Sequence, residues 1–198
     1  MNAGLLILLL VIGAAVIGFF LYTGAKNGAV KRDEAVKAGW GNVQTTYQRR
    51  LDLVPNLVET VKGAANFEQD TLAQVTEARA SVGRMTVDPQ ALLDNPELMQ
   101  QWMEAQNRLG GALQRLLVVA ENYPELKATQ NFLSLQHELE GTENRINVAR
   151  QDYNKVVADY NTFVRKIPNT WFLSDAEFPV RPAFEASAGA EQAPQVKF

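Results

Sequence analysis

The sequence predicts an all-α protein: a single N-terminal transmembrane helix, then a long up-and-down four-helix bundle with an extended C-terminal tail. Three observations predict it. No charged side chain occurs before Lys26. Apolar residues then recur at spacings of three and four over most of the chain as far as Lys166, the period of one helix face. Pro168, Pro179, Pro182 and Pro194 make up half of the eight prolines, so the helical pattern stops near Ile167. The expected divisions are an anchor at 1–25, a helical body at 26–167 and a tail at 168–198.

The anchor comes first. Residues 5–22 read LLILLLVIGAAVIGFFLY, from Leu5 through Leu10, Gly13, Ala14, Gly18, Phe19 and Phe20 to Tyr22. As a helix these residues span about 27 Å, close to the hydrocarbon thickness of a bilayer. A cleaved signal peptide is the competing reading. It needs a basic n-region, which is absent, and a shorter apolar stretch. Lys26, Lys31, Arg32 and Lys37 follow the span and no basic residue precedes it. The positive-inside rule therefore puts the N-terminus outside and the bundle in the cytoplasm. Ala14 and Gly18 form a small-xxx-small pair, a spacing that permits close helix approach but is common in membrane helices.

The first bundle helix carries Trp40, Val43, Tyr47, Leu51, Val54, Val58 and Val61 on one stripe. Pro55 falls within it, but the stripe keeps its phase, so a kink is expected rather than a reversal. Gly63 ends this helix, and Asn66 with Gln69 forms a capping box for the second, which runs to about Gly83. Residues 85–95 are expected to be a loop holding at most one short turn. Asp88-Pro89 and Asn95-Pro96 each pair an N-cap with a proline at the first helical position. The third helix starts at Pro96 with Met99, Trp102, Leu109, Leu113 and Leu116 inward. The fourth is expected to run unbroken from Pro124 to Lys166, about 64 Å long. The third helix is too short to cover its stripe. The remainder must be covered by the first helix, another subunit or the tail.

In the tail, Trp171, Phe172, Phe178 and Phe184 are too many large aromatics for a disordered segment. The phenylalanines recur every six residues, so an extended chain from Trp171 to Phe184 would set them on one face, filling grooves of the bundle. Beyond Phe184 the composition reads as flexible.

The chemistry of the chain is bounded by what it lacks. It has no cysteine and one histidine, His137, which excludes disulfides, thiol chemistry and a His-rich metal centre. Nineteen Lys and Arg against 22 Asp and Glu give a net charge of −3, which argues against non-specific nucleic-acid binding. No phosphate-binding, zinc-protease or nucleophile-elbow motif is present, and no cofactor is expected. Glu138, Glu140 and Glu143 read as a solvated helix face or a set of ion pairs. Arg49, Arg50 and Asp52 on the first helix, and Glu143 and Arg145 on the fourth, are placed to pair across the bundle and fix its register.

Five collinear blocks resemble the LemA family: YQRRLDLVPNLVETVKG at 47–63, VTEARA at 75–80, AENYPELKA at 120–128, ELEGTENRINVARQDYN at 138–154 and YNTFVRKIP at 160–168. The resemblance covers about residues 30–184 and the span, with the tail after Phe184 outside it. It implies a four-helix bundle behind one anchor in a bacterial inner membrane, with no established enzymatic activity or cofactor. Some members of the family act in forming magnetosome membrane invaginations. Others occur with membrane metallopeptidases or TPM-domain proteins. The resemblance singles out Asp52, Pro55, Asn56, Glu121, Tyr123, Pro124, Glu143, Arg145, Arg150, Tyr153 and Asn154 as architectural or partner-binding residues. Three functions compete on this reading. The first is a membrane-tethered scaffold that self-associates as a homo-oligomer and organises or bends the lipid bilayer. The second is an adaptor for another protein, and an enzyme is the least favoured.

Overall fold

The computed structural model describes residues 3–64, 67–85 and 88–185, and among these every regular element is helical. Span and first bundle helix are one element, α1 (Ala3–Lys62), 60 residues and about 90 Å long. The expected division near residue 25 is not a break in the helix. No proline lies between Tyr22 and Val30, and the Thr23 hydroxyl satisfies itself on the Phe19 carbonyl at 3.0 Å. The apolar stretch is long enough to cross a membrane and none of it is buried in the protein, which marks a single-pass membrane protein. Burial begins at Ala25 and Ala29, directly after the span.

α1 also continues through Pro55. Proline leaves the carbonyl four residues earlier without its donor. That carbonyl, of Leu51, instead accepts from Arg79 Nε at 3.4 Å. Arg79 lies on α2 (Gln69–Arg84). The helix therefore meets its proline with help from a neighbour.

The next elements are α3 (Pro89–Asp94), α4 (Pro96–Ala120), α5 (Pro124–Lys127) and α6 (Gln130–Arg165). Asn95 caps α4 as its sequence predicts, accepting from Glu97 N at 3.0 Å and Leu98 N at 3.1 Å. Two expectations are corrected. The fourth helix is not continuous from Pro124: Thr129, with extended backbone, interrupts it and caps α6 by accepting from Phe132 N. The N-cap of α2 is Glu68, whose side chain makes no capping bond, rather than Asn66, which lies outside the described residues.

α6 runs antiparallel to α1. Arg32 pairs with Asp159 at 2.8 Å, the Trp40 and Tyr153 rings meet at 5.6 Å, and Arg50 reaches Glu143 at 3.0 Å. As the α1 number rises, its α6 partner's falls. Two cores line this pair. The core far from the span joins Val54, Leu57 and Val61 of α1 to α2, the later half of α4, and Phe132 and Leu139 of α6. The core near the span joins Trp40 and Tyr47 to Tyr153, Val157 and Tyr160, with Leu92 and Leu93 of α3, Trp102 of α4, and Leu173, Phe178 and Phe184 of the tail. The four long helices thus share only the distal core. α2 is too short to reach the proximal one, and the tail takes its place. The long stripe of α6 is covered within the chain, by α1 and the tail.

α1 and α6 approach closely at Gly28, where a Cβ would overlap the tip of the Phe163 ring. The Phe163 ring cannot move freely, since Arg32 stacks on it at 4.0 Å. Gly28→Val is expected to lower stability by about 1–3 kcal/mol by forcing the two helices apart. Urea unfolding followed by circular dichroism checks this.

Candidate functional site

The site with the most built structure is where the tail docks on α6. Asn154 and Asn161 are seven residues apart, two turns on one face. Each side-chain amide holds both backbone groups of one tail residue. Asn161 Nδ2 donates to Arg181 O and its Oδ1 accepts from Arg181 N, both at 2.9 Å. Asn154 does the same for Phe184, at 2.9 and 2.8 Å. The spacings agree: three extended residues rise about 10 Å and seven helical residues about 10.5 Å. The tail therefore lies antiparallel to α6 as if pairing with a strand. Pro182, which has no N–H, falls between the two clamped residues, and its carbonyl accepts from Tyr153 Oη at 2.9 Å. Burial pushes the Tyr153 phenol well above its ordinary range, so it stays a donor. Asn154→Ala removes two of these bonds and is expected to cost about 1–3 kcal/mol, read as faster proteolysis after Lys166.

Beneath the clasp, the Phe184 ring stacks on Trp40 at 6.1 Å and meets Tyr153 edge-on at 5.4 Å. The Arg150 guanidinium covers its outer face at 4.8 Å. Beside it, the buried Arg181 guanidinium bonds Asp33 of α1, at 2.6 Å from Nη2 and 3.1 Å from Nε. Its Nη1 bonds Asp94 of α3. One tail side chain thus ties three segments together. Burial pushes the Asp33 carboxyl up, but hydrogen bonds from Lys37 and Arg181 and their charges outweigh it and hold it below the usual carboxylate range. Burial alone would lower the Arg181 pKa, but the bond to Asp33 and the charges of Asp33 and Asp94 raise it.

A second polar centre lies where α1, α4 and α6 meet. Arg50 is 3% exposed. Its Nη1 donates to Glu143 at 3.0 Å, and its Nη2 to the Gln106 carbonyl at 2.9 Å and side chain at 2.6 Å. Gly110 leaves room for it: a Cβ there would stand 3.3 Å from Nη1. A cleft of about 850 Å³ opens beside it, with Asn107, Gln114, Glu143, Asn147 and Arg150 among its walls. Hydrogen-bonded in this way, Arg50 ties three helices together.

The residues singled out by the family resemblance separate into two regions. Glu143, Arg150, Tyr153 and Asn154 line the α1–α6–tail seam described above, and Arg145, though exposed, lines a groove between α6 and Gly39, Asn42 and Thr46 of α1. The rest sit around the far end. Asp52 is exposed and accepts from Gln48 at 2.8 Å, Pro55 and Asn56 are exposed, and Glu121 pairs with Lys127 at 2.5 Å. Tyr123 packs 4.8 Å from Phe67, and Pro124 opens α5. The span residues Leu5, Leu10, Gly13, Ala14, Phe19, Phe20 and Tyr22 are exposed, Gly18 is intermediate, and a Cβ at Gly13 or Gly18 would meet nothing within 4 Å.

The tail departs from its expected course. It is not extended from Trp171. Asn169 is buried and donates to the Phe163 carbonyl at 2.8 Å, 169–171 form a 3-10 turn, and Phe178 N bonds Ser174 O at 2.9 Å. Bonds so local coil the chain, and only about 179–185 is extended. Phe178 and Phe184 are buried and Phe172 is half-buried, but Trp171 is 72% exposed and fills no groove. The stretch after Glu185 lies outside the described residues. Sequence reasoning missed Arg181, Asp33, Asp94, Asn161 and Gln106 as a set. The available signal was two asparagines seven apart on an apolar stripe, facing an aromatic tail with one arginine between prolines.

Among the described residues no group of three or more His, Asp or Glu side chains is placed to hold a metal. The hydrogen bonds and ion pairs described above join helix to helix and tail to helix. The chain is 25% identical to Protein LemA of Metamycoplasma hominis over 155 residues, 78% of this chain and 65% of the relative. It is 27% identical to magnetosome protein MamQ 2 of Paramagnetospirillum magneticum over 160 residues, 72% of this chain and 58% of that one. Magnetosome protein MamQ of Magnetospirillum gryphiswaldense is 25% identical over the same shares. The chain thus spans about three fifths of the length of the curated relatives it matches. The profile of the LemA family matches residues 39–198, so the tail beyond Phe184, expected to lie outside the family pattern, falls within it, and the span does not. With four fifths of its residues in that match, clasp and buried arginine included, the chain belongs to the LemA family.

Proposed function

We propose that this protein is a non-enzymatic, membrane-anchored helical scaffold that self-assembles and organises or remodels a bacterial inner membrane. The observation that carries this reading is the continuity of α1. The helix leaves the apolar span and enters the helical body without a hinge, so the body cannot tilt without moving the span. The four long helices and the tail act as one up-and-down bundle, a rigid post rather than a tethered ball. Confinement of such posts to a plane raises their effective concentration for lateral contact. The likeness to magnetosome proteins supports the same reading.

Full-length protein extracted gently from membrane is expected to run as a homo-oligomer by light scattering. A monomer at every concentration would contradict the scaffold. The bundle is proposed to be cytoplasmic, with the N-terminus outside. A cysteine introduced at exposed Gly83 should then resist a membrane-impermeant thiol reagent in intact cells and react after permeabilisation.

The cleft beside Arg50 favours a second reading, an adaptor for another protein such as a membrane metallopeptidase or a TPM-domain protein. A photocrosslinker at Asn147 would capture that partner under the adaptor reading, and a second copy or nothing under the scaffold reading.

A further inference from the structure

The turn that ends α6 carries two large apolar side chains that none of the described residues covers. Ile167 is 70% exposed and Trp171 72%. Their position in the fold is defined by contacts. Phe163, near the end of α6, packs against Gly28 of α1. The turn then descends past that level. The Phe172 ring meets the Tyr22 ring edge-on, centroids 6.3 Å apart, and Glu177 pairs with Lys26 at 2.8 Å. Tyr22 is the last residue of the apolar run and Lys26 the first charge. The turn therefore stands where α1 leaves the bilayer. Arg165 and Lys166, both exposed, flank it.

We propose that this turn is a second membrane contact: Ile167 and Trp171 insert into the headgroup–acyl boundary of the same bilayer that holds the span. The proposal rests on the reading of α1 as a membrane span. Tryptophan is suited to that depth because its ring is apolar and its N–H remains among polar headgroups. The exposed pair is continuous with the lipid-facing surface of α1 through the Phe172–Tyr22 contact, and arginine and lysine beside it face anionic headgroups. Two points of attachment, span and turn, would fix the rotation of the bundle about the membrane normal as well as its height.

Trp171 can be observed without disturbing the core, because Trp40 and Trp102 are buried. Full-length protein is reconstituted in vesicles of phosphatidylcholine and phosphatidylglycerol, with and without lipids brominated near the headgroup end of the chains. The expected result is a blue-shifted emission component that the bromolipids quench, that aqueous iodide does not quench, and that Trp171→Phe abolishes. Quenching by iodide but not by bromolipid would overturn the proposal. Resistance to both would also overturn it, since a second protein surface would then cover Trp171. A Phe20→Trp variant on the Trp171→Phe background reports the span separately, through deeply placed bromines. If its quenching occurs while Trp171 remains wet, the turn proposal fails and the span reading stands. If neither residue is quenched, both fail.

Discussion

Replacing Arg181 with alanine lowers the stability of the folded protein by about 3 kcal/mol, because it removes one member of a buried charge network and leaves another behind. Asp33 keeps Lys37 and Asp94 is partly exposed, which holds the loss at the lower end of the range for a broken buried pair. Urea unfolding measures the loss, and limited proteolysis of the tail locates it. Arg181→Lys does not restore it, since an ammonium cannot present a planar fork to Asp33 and Asp94 together. The same network gives a pH dependence. Asp33 in the folded state has a pKa below its ordinary 3.8. Its contribution is complete above the unfolded value and is lost as pH falls through the lower folded value. Tail docking is therefore flat from neutral pH down to about 4 and weakens below that. Asp33→Asn removes that share of the acid dependence.

Replacing Trp40 with alanine costs more, about 3–5 kcal/mol, the loss expected for a buried indole whose site cannot collapse. Its ring contacts Trp102 at 5.1 Å, Tyr153 at 5.6 Å and Phe184 at 6.1 Å. These partners come from α4, α6 and the tail, so relaxation of one element cannot fill the void. Thermal unfolding checks the loss. Trp40→Phe, which keeps an aromatic face, is expected to recover most of it. A variant as stable as the parent would mean that the proximal core is not packed as described.

The sequence-based reading succeeded where one periodic signal dominated. The stripe from Trp40 to Val61 keeps a helical phase, and the burial of Trp40, Val43, Tyr47, Val54, Val58 and Val61 follows it. Asn95-Pro96 was legible as a helix start because cap chemistry and proline geometry agree. Thr129 was not, since one β-branched residue within a run of helix formers is a weak signal and its role depends on where α5 packs. The continuity of α1 was hidden by the change from lipid-facing to water-facing composition near Tyr22. That change looks like an element boundary, although the backbone hydrogen bonds have no reason to stop there. In the tail, six-residue spacing placed Phe178 and Phe184 inward. It could not foresee that Asn169 would turn the chain and leave Trp171 outside. The ties between Arg181, Asp33 and Asp94 span sequence separations of 148 and 87 residues. No local pattern encodes contacts so distant. The opposite holds for Arg50 and Glu143, where two charged residues interrupt apolar stripes on helices that must face each other.

A rigid post requires a helix that passes from lipid into the helical body without interruption. Hydrogen exchange of the full-length protein in lipid nanodiscs, resolved along α1, tests it directly. Slow exchange is predicted throughout residues 5–61, with no fast segment between Tyr22 and Ala29. Rapid exchange confined to 22–29 would show a hinge where the helix should be unbroken and would contradict the rigid post.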